Sequence, residues 1–207
     1  MKTLTHAAAV LMIGSILVLS GCNSDAKPIA TKSETKATPL ETLSADQEQQ
    51  KELAIEAKDK LFASLLGELM KSMGENGPAK SIGVCKTRAP ELATAIGEET
   101  GVRIGRTSFK LRSPDNAAPQ WAASFVNEHI ESPVNVELPN DALGVLLPIR
   151  LKATCTICHG TDEQIMPEVK AAIVSNYPDD NAMGFSEGDI RGYFWIEVPG
   201  QKRADNE

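Results

Sequence analysis

The segment Cys155-Thr-Ile-Cys158-His159 constrains this chain more than any other stretch of its 207 residues. Two thiols three positions apart, followed at once by an imidazole, form the attachment pattern of a c-type haem. The thiols add across the two vinyl groups and hold the macrocycle edge, and His159 then projects onto the iron as its proximal ligand. Two other uses of these residue types fit less well. A thioredoxin-like redox pair wants a strand-to-helix context and rarely carries His next. A zinc site needs a second ligand pair, and apart from His6 near the N-terminus only His129 accompanies His159. The expectation is one covalent haem c, bound through Cys155, Cys158 and His159.

Haem of this type is attached outside the cytoplasmic membrane, and the N-terminus reads as an export signal. Lys2 supplies the positive region and residues 7–19 a short apolar run. That run falls short of the roughly 20 apolar residues a membrane-crossing helix needs. It ends in Leu19-Ser20-Gly21-Cys22, which has the form of a bacterial lipobox, with residues 1–21 removed and Cys22 lipidated. An ordinary signal peptide with an incidental cysteine is the alternative. Asn23 after the cysteine favours the outer membrane over the inner one. The expected location is the periplasmic side of a bacterial membrane, held by a lipid anchor rather than crossing it. Residues 22–44 then read as the lipidated Cys and a flexible tether, because Ser, Thr, Lys, Ala and Pro cannot bury a core. A formal charge of −7 argues against nucleic acid as a partner.

From residue 44 the pattern becomes structural. Ser44-Ala-Asp-Gln47 is a capping box that opens a helix. Leu53, Ala57, Leu61, Leu65, Leu69 and Met73 recur every fourth residue, widened by Phe62, Leu66 and Met70. Gly74 and the Gly77-Pro78 pair should end this helix. A second is expected from Pro78, carrying Cys85, with Pro90 interrupting it and opening a short helix to Gly97. The period then shortens. Strands are expected at 102–111, 134–138, 144–153 and 191–198, and helices at 119–130 and 163–175. Without a βαβ rhythm the reading is α+β with an antiparallel sheet, one domain over 45–200 and a polar tail at 201–207.

Four cysteines leave one over. With Cys22 assigned to lipid and two to haem, Cys85 is a buried inert residue, an intermolecular link or a metal ligand. Other candidates for a sixth iron ligand are His129, Met70, Met73, Met166 and Met183. Met70 and Met73 lie on the helical stripe and read as core, and His129 between Glu128 and Glu131 reads as solvated. Lys86 and Arg88 flank Cys85 and are expected near its thiolate. Arg106, Lys110, Arg112 and Arg191 are candidate partners for the haem propionates, with surface cations as the plain alternative.

Several ordered motifs resemble one family. Residues 79–90 do, with Ile82, Cys85 and Ala89-Pro90, as do Ile104-Gly-Arg-Thr-Ser108 with Lys110 and Arg112-Ser-Pro114-Asp-Asn116 before Trp121. Tyr177-Pro178, Asp180, Ala182, Gly184 and Gly188-Asp-Ile-Arg-Gly192 continue the match. Together they resemble the single-haem c-type domains with a PAS-like fold, long catalogued as a domain of unknown function. The resemblance implies a sheet flanked by helices around the haem, with His159 and Cys85 as the two axial ligands. A thiolate on iron favours the ferric state and a low reduction potential. The function it implies is a redox or gas sensor signalling in trans to a periplasmic protein, with a diatomic gas as the small ligand. A low-potential electron carrier is the alternative. A haem enzyme such as a peroxidase ranks behind both, for want of a distal acid–base residue.

Overall fold

The computed structural model describes residues 37–200; the signal peptide, Cys22, the tether up to residue 36 and the 201–207 tail lie outside the described residues. Residues 37–44, expected as the end of the tether, lie against the domain instead. Pro39 bridges Val136, and the Leu40 amide donates to the Asn135 carbonyl at 2.9 Å. Leu40 and Leu43 pack on the core, so two apolar side chains outweigh the polar composition around them.

Ser44 caps the first helix, α1 (Ala45–Thr100). Its hydroxyl accepts from the Gln47 amide at 3.3 Å and its own amide donates to Gln47 Oε1 at 2.9 Å. Gly77 breaks the helix with φ 77° and ψ 167°, which a Cβ would resist. Contacts between residues far apart along α1 show its two arms lying side by side. Ser81 Oγ meets Ser72 Oγ at 2.9 Å, Arg88 forks onto Glu68 at 2.8 Å, and Lys60 reaches Glu99 at 2.8 Å. Exposed ion pairs are worth under about 1 kcal/mol each. The larger contribution is apolar: Ala54, Ala57 and Leu61 on the first arm and Ile96 on the second are buried together with residues of the sheet.

Two expected breaks are absent. Gly74 is helical, because helical dihedrals are open to glycine as to any residue, and within α1 only Gly77 adopts a positive φ. Pro90 stays inside the second arm. A proline there costs about 3 kcal/mol in an isolated helix, and burial of Ala89 and Ile96 on either side holds the helical path.

The sheet has four antiparallel strands in the order β1-β4-β3-β2, with β1 Arg103–Thr107, β2 Val134–Leu138, β3 Ala142–Arg150 and β4 Ile190–Val198. The α+β architecture is the expected one, although β1 is shorter than its alternating pattern suggested. Alternation along β4 divides the core. Phe194, Ile196 and Val198 join α1, whereas Tyr193 and Trp195 pack with α2 (Gln120–Asn127) on the other face. The C-terminal ends of β1 and β3 meet the start of β4 at one end of the sheet. No helix among the described residues is long and apolar enough to cross a membrane.

Candidate functional site

Beyond β3 the backbone tightens through a 3₁₀ turn (Ala153–Cys155) into α3 (Thr156–His159), a single helical turn. Thr156 Oγ1 donates back to the Ala153 carbonyl at 2.7 Å, and the Gly160 amide closes the turn on the Thr156 carbonyl at 2.8 Å. Residues three apart on such a turn share a face, so Cys155 and Cys158 stand together. After α4 (Pro167–Asn176) the chain returns along α3, its Gly184 amide on the Gly160 carbonyl (2.7 Å) and its Phe185 amide on the His159 carbonyl (2.9 Å).

A cavity opens between α3, the sheet end and both arms of α1. Its empty space, mouth included, is about 1230 Å³. Cys155, Cys158 and His159 line it together with Cys85, some seventy residues earlier in the chain, and all three cysteines are free thiols. The first arm of α1 contributes Leu65, Leu66, Leu69, Met70 and Met73. Met70 and Met73, read as core, therefore face the cavity. A four-residue repeat drifts around a helix of 3.6 residues per turn, so the stripe leaves the sheet and covers the opening instead.

The His159 imidazole is held through its Nδ1. Its Nδ1 lies 2.8 Å from the Ala182 carbonyl oxygen, which can only accept, so the proton sits on Nδ1 and the lone pair on Nε2. Arg191 Nε also approaches Nδ1, at 3.1 Å. Two donors cannot share that proton's direction, and the shorter carbonyl contact prevails. Burial, then the nearby Arg191 and Arg112, hold the His159 pKa well below the ordinary histidine range, so the ring is neutral. Burial pushes the Cys158 thiol up, with Arg112 opposing, which disfavours a freely reactive thiolate.

Three guanidiniums line the cavity, from Arg106, Arg112 and Arg191, and no carboxylate does among the described residues. Arg112 is paired just outside it, with Asp180 at 2.9 Å. The Arg106 guanidinium has no hydrogen-bond partner among the described residues, and burial lowers its pKa. Arg191 donates to the Lys110 carbonyl at 3.1 Å, and burial foremost pushes its pKa down to about 10. The cavity thus carries two cations in excess.

The other candidates lie elsewhere. Lys110 is outside the lining, with Nζ over the Phe185 ring and 3.3 Å from the Met183 carbonyl. His129 is exposed and stacked on Phe109 at 3.9 Å between ring centres. Met166 is exposed, and Met183 packs against the cluster of Ile82, Ile165 and Val169 without lining the cavity. Lys86 and Arg88, expected near the Cys85 thiolate, turn away to the Asn176 carbonyl and to Glu68 and Glu91. Lys86, the next residue, is rotated by about 100° from Cys85, whereas Arg88 lies one turn on and is drawn off by the carboxylates of Glu68 and Glu91. Asp180 and the Ala182 carbonyl were missed as site groups. Both residues stand in the motifs quoted above, but nothing in a side-chain pattern marks a main-chain acceptor.

A family model described as Tll0287-like matches residues 26–199. The chain belongs to the Tll0287-like family. The crystal structure of the cyanobacterial haem-protein Tll0287 aligns with a TM-score of 0.55 and 23% identity, covering 78% of this chain and 100% of that one. At that identity the likeness establishes a shared fold. No curated protein matches the chain.

Within this Tll0287-like domain the donors admit a restricted class of guest. Two thiols on one turn can form two thioethers, and a neutral imidazole with a free Nε2 can ligate a metal. The cations of Arg106 and Arg191 call for two negative charges, since buried charge is costly unless paired. Haem c, with two vinyl groups, an iron and two propionates, meets each of these demands.

Proposed function

We propose that this domain is a membrane-tethered, single-haem c-type cytochrome acting as a redox or gas sensor that signals in trans on the periplasmic side. The observation that carries the reading is the convergence, in one cavity, of Cys155, Cys158, His159 and Cys85 with two guanidiniums that no carboxylate among the described residues pairs. Cys155 and Cys158 would hold the macrocycle covalently, His159 would be the proximal ligand and Cys85 the sixth, in a PAS-like scaffold. Bound there, the group would supply one-electron redox chemistry, and a diatomic gas would find a place only once Cys85 has left on reduction or thiol protonation. Arg106 and Arg191 would neutralise its propionates. Cys85 rides on the second arm of α1, so its attachment couples the state of the site to the position of that arm. Lipidation of Cys22 would keep the domain on its membrane, with Asn23 favouring the outer one.

The alternative, a low-potential electron carrier, draws support from Cys155 and Cys158 being only partly buried, since electron exchange needs a cofactor edge near solvent. The deciding experiment is the ferric absorption spectrum of residues 23–207, with and without Cys85→Ala. Conversion to a high-spin or water-ligated spectrum supports thiolate ligation and the switching role. Superimposable spectra remove Cys85 from the iron and favour the carrier.

A further inference from the structure

We infer that Arg112 and Asp180 form a buried charge pair that positions the His159 ligand and sets the electron density it offers, an inference that rests on the haem reading above. The pair is 8% and 5% exposed, its Arg112 Nε–Asp180 Oδ1 contact 2.9 Å and Nη2–Oδ2 3.3 Å. Its remaining bonds all reach main chain around the proximal histidine. Arg112 Nη2 donates to the Cys158 carbonyl at 2.7 Å and to the Ala182 carbonyl at 3.2 Å. Asp180 Oδ1 accepts from the Ala182 amide at 3.0 Å. Ala182 is thus gripped at both ends, and its carbonyl is the acceptor for His159 Nδ1–H at 2.8 Å.

Charge follows from that sharing. A carbonyl that already accepts from a guanidinium has less electron density for the imidazole N–H, so the ring keeps less imidazolate character. Losing the Arg112 charge strengthens the Nδ1–H bond and leaves Asp180 uncompensated. Both effects favour the oxidised cofactor. Losing the Asp180 charge does the opposite. Arg112 is therefore a positioning residue, acting on His159 through Ala182.

The test is redox potentiometry of the full-length protein and of Arg112→Gln, Asp180→Asn and Arg112→Lys, after covalent haem is verified by intact mass and the pyridine haemochrome spectrum. The midpoint potential is expected to fall in Arg112→Gln, rise in Asp180→Asn and stay near wild type in Arg112→Lys, which keeps the charge and loses the planar fork. A merely structural pair would move all three in one direction, or none, and either pattern overturns the inference. Should Arg112→Gln fail to fold, Asp180→Asn rising while Arg112→Lys holds still supports it, and any other pairing refutes it. Wild-type protein without covalent haem sinks the cofactor reading itself, an outcome distinct from haem-loaded variants whose potentials do not diverge.

Discussion

Gly192→Ala tests how closely the sheet is packed at the cavity. Gly192 lies on β4 opposite Ile149 and lines the cavity floor. What the position demands is space: a Cβ there would stand 2.2 Å from the Thr107 carbonyl oxygen and 3.0 Å from Ser108 Cβ. The nearer obstacle is main chain, so no rotamer change relieves it. The two chains must part where Ser108 Oγ donates to the Arg191 carbonyl at 2.7 Å. Overpacking of this kind costs about 1–3 kcal/mol. In a domain of this size each kcal/mol moves Tm by about 2–4 °C, so the loss is about 2–12 °C. Gly67→Ala is the control. It sits on the exposed side of α1 with nothing within 4 Å, and a helical Ala there gains about 0.5–1 kcal/mol. Urea unfolding followed by far-ultraviolet circular dichroism reads both variants. One chemical change must give opposite signs at the two positions, and a Gly192→Ala protein as stable as wild type refutes the packing argument.

Three further expectations concern stability. Leu61→Ala empties a fully buried site between α1 and the sheet and should cost about 2–5 kcal/mol in urea unfolding; a loss under about 1 kcal/mol contradicts the placement of that helix. Ser44→Ala removes the hydroxyl half of the capping box, leaving the residue 44 amide on Gln47 Oε1, and should cost about 1 kcal/mol, read as a shift in midpoint without a change in slope. Tyr193 donates to the Ile130 carbonyl at 3.0 Å, and burial, with Glu131, pushes its pKa up to about 12. The folded chain then holds that proton more tightly than the unfolded one, whose tyrosines titrate near about 10. The stability involved is complete below pH 10 and fades as pH climbs toward 12. Tyr193→Phe should shallow that alkaline decline without abolishing it, because burial also raises Tyr177 to about 12. An unchanged slope between pH 10 and 12 counts against the shift.

Much of this domain is written locally. The capping box at Ser44, the alternation along β4 and the Cys155–His159 turn each act within a few residues, so a linear reading suffices for them. The candidate thiols and imidazole were legible for the same reason: one helical turn brings Cys155, Cys158 and His159 to one place. Cys85 was legible only as a cysteine left over.

Its meeting with His159 depends on the break at Gly77 and on Ala54, Ala57 and Leu61 burying against the sheet, terms summed over the whole domain. The cations divide similarly. Sequence supplied Arg106, Lys110, Arg112 and Arg191 as positive charges, and packing decided that Arg106 and Arg191 line the cavity without a carboxylate partner while Asp180 claims Arg112 and Lys110 stands outside the lining over the Phe185 ring. A charge is a property of one residue, whereas its partner is set by which distant segments the core draws together. The Ala182 carbonyl is the limiting case. Every residue carries that group, so only the tertiary structure could choose the one that orients His159.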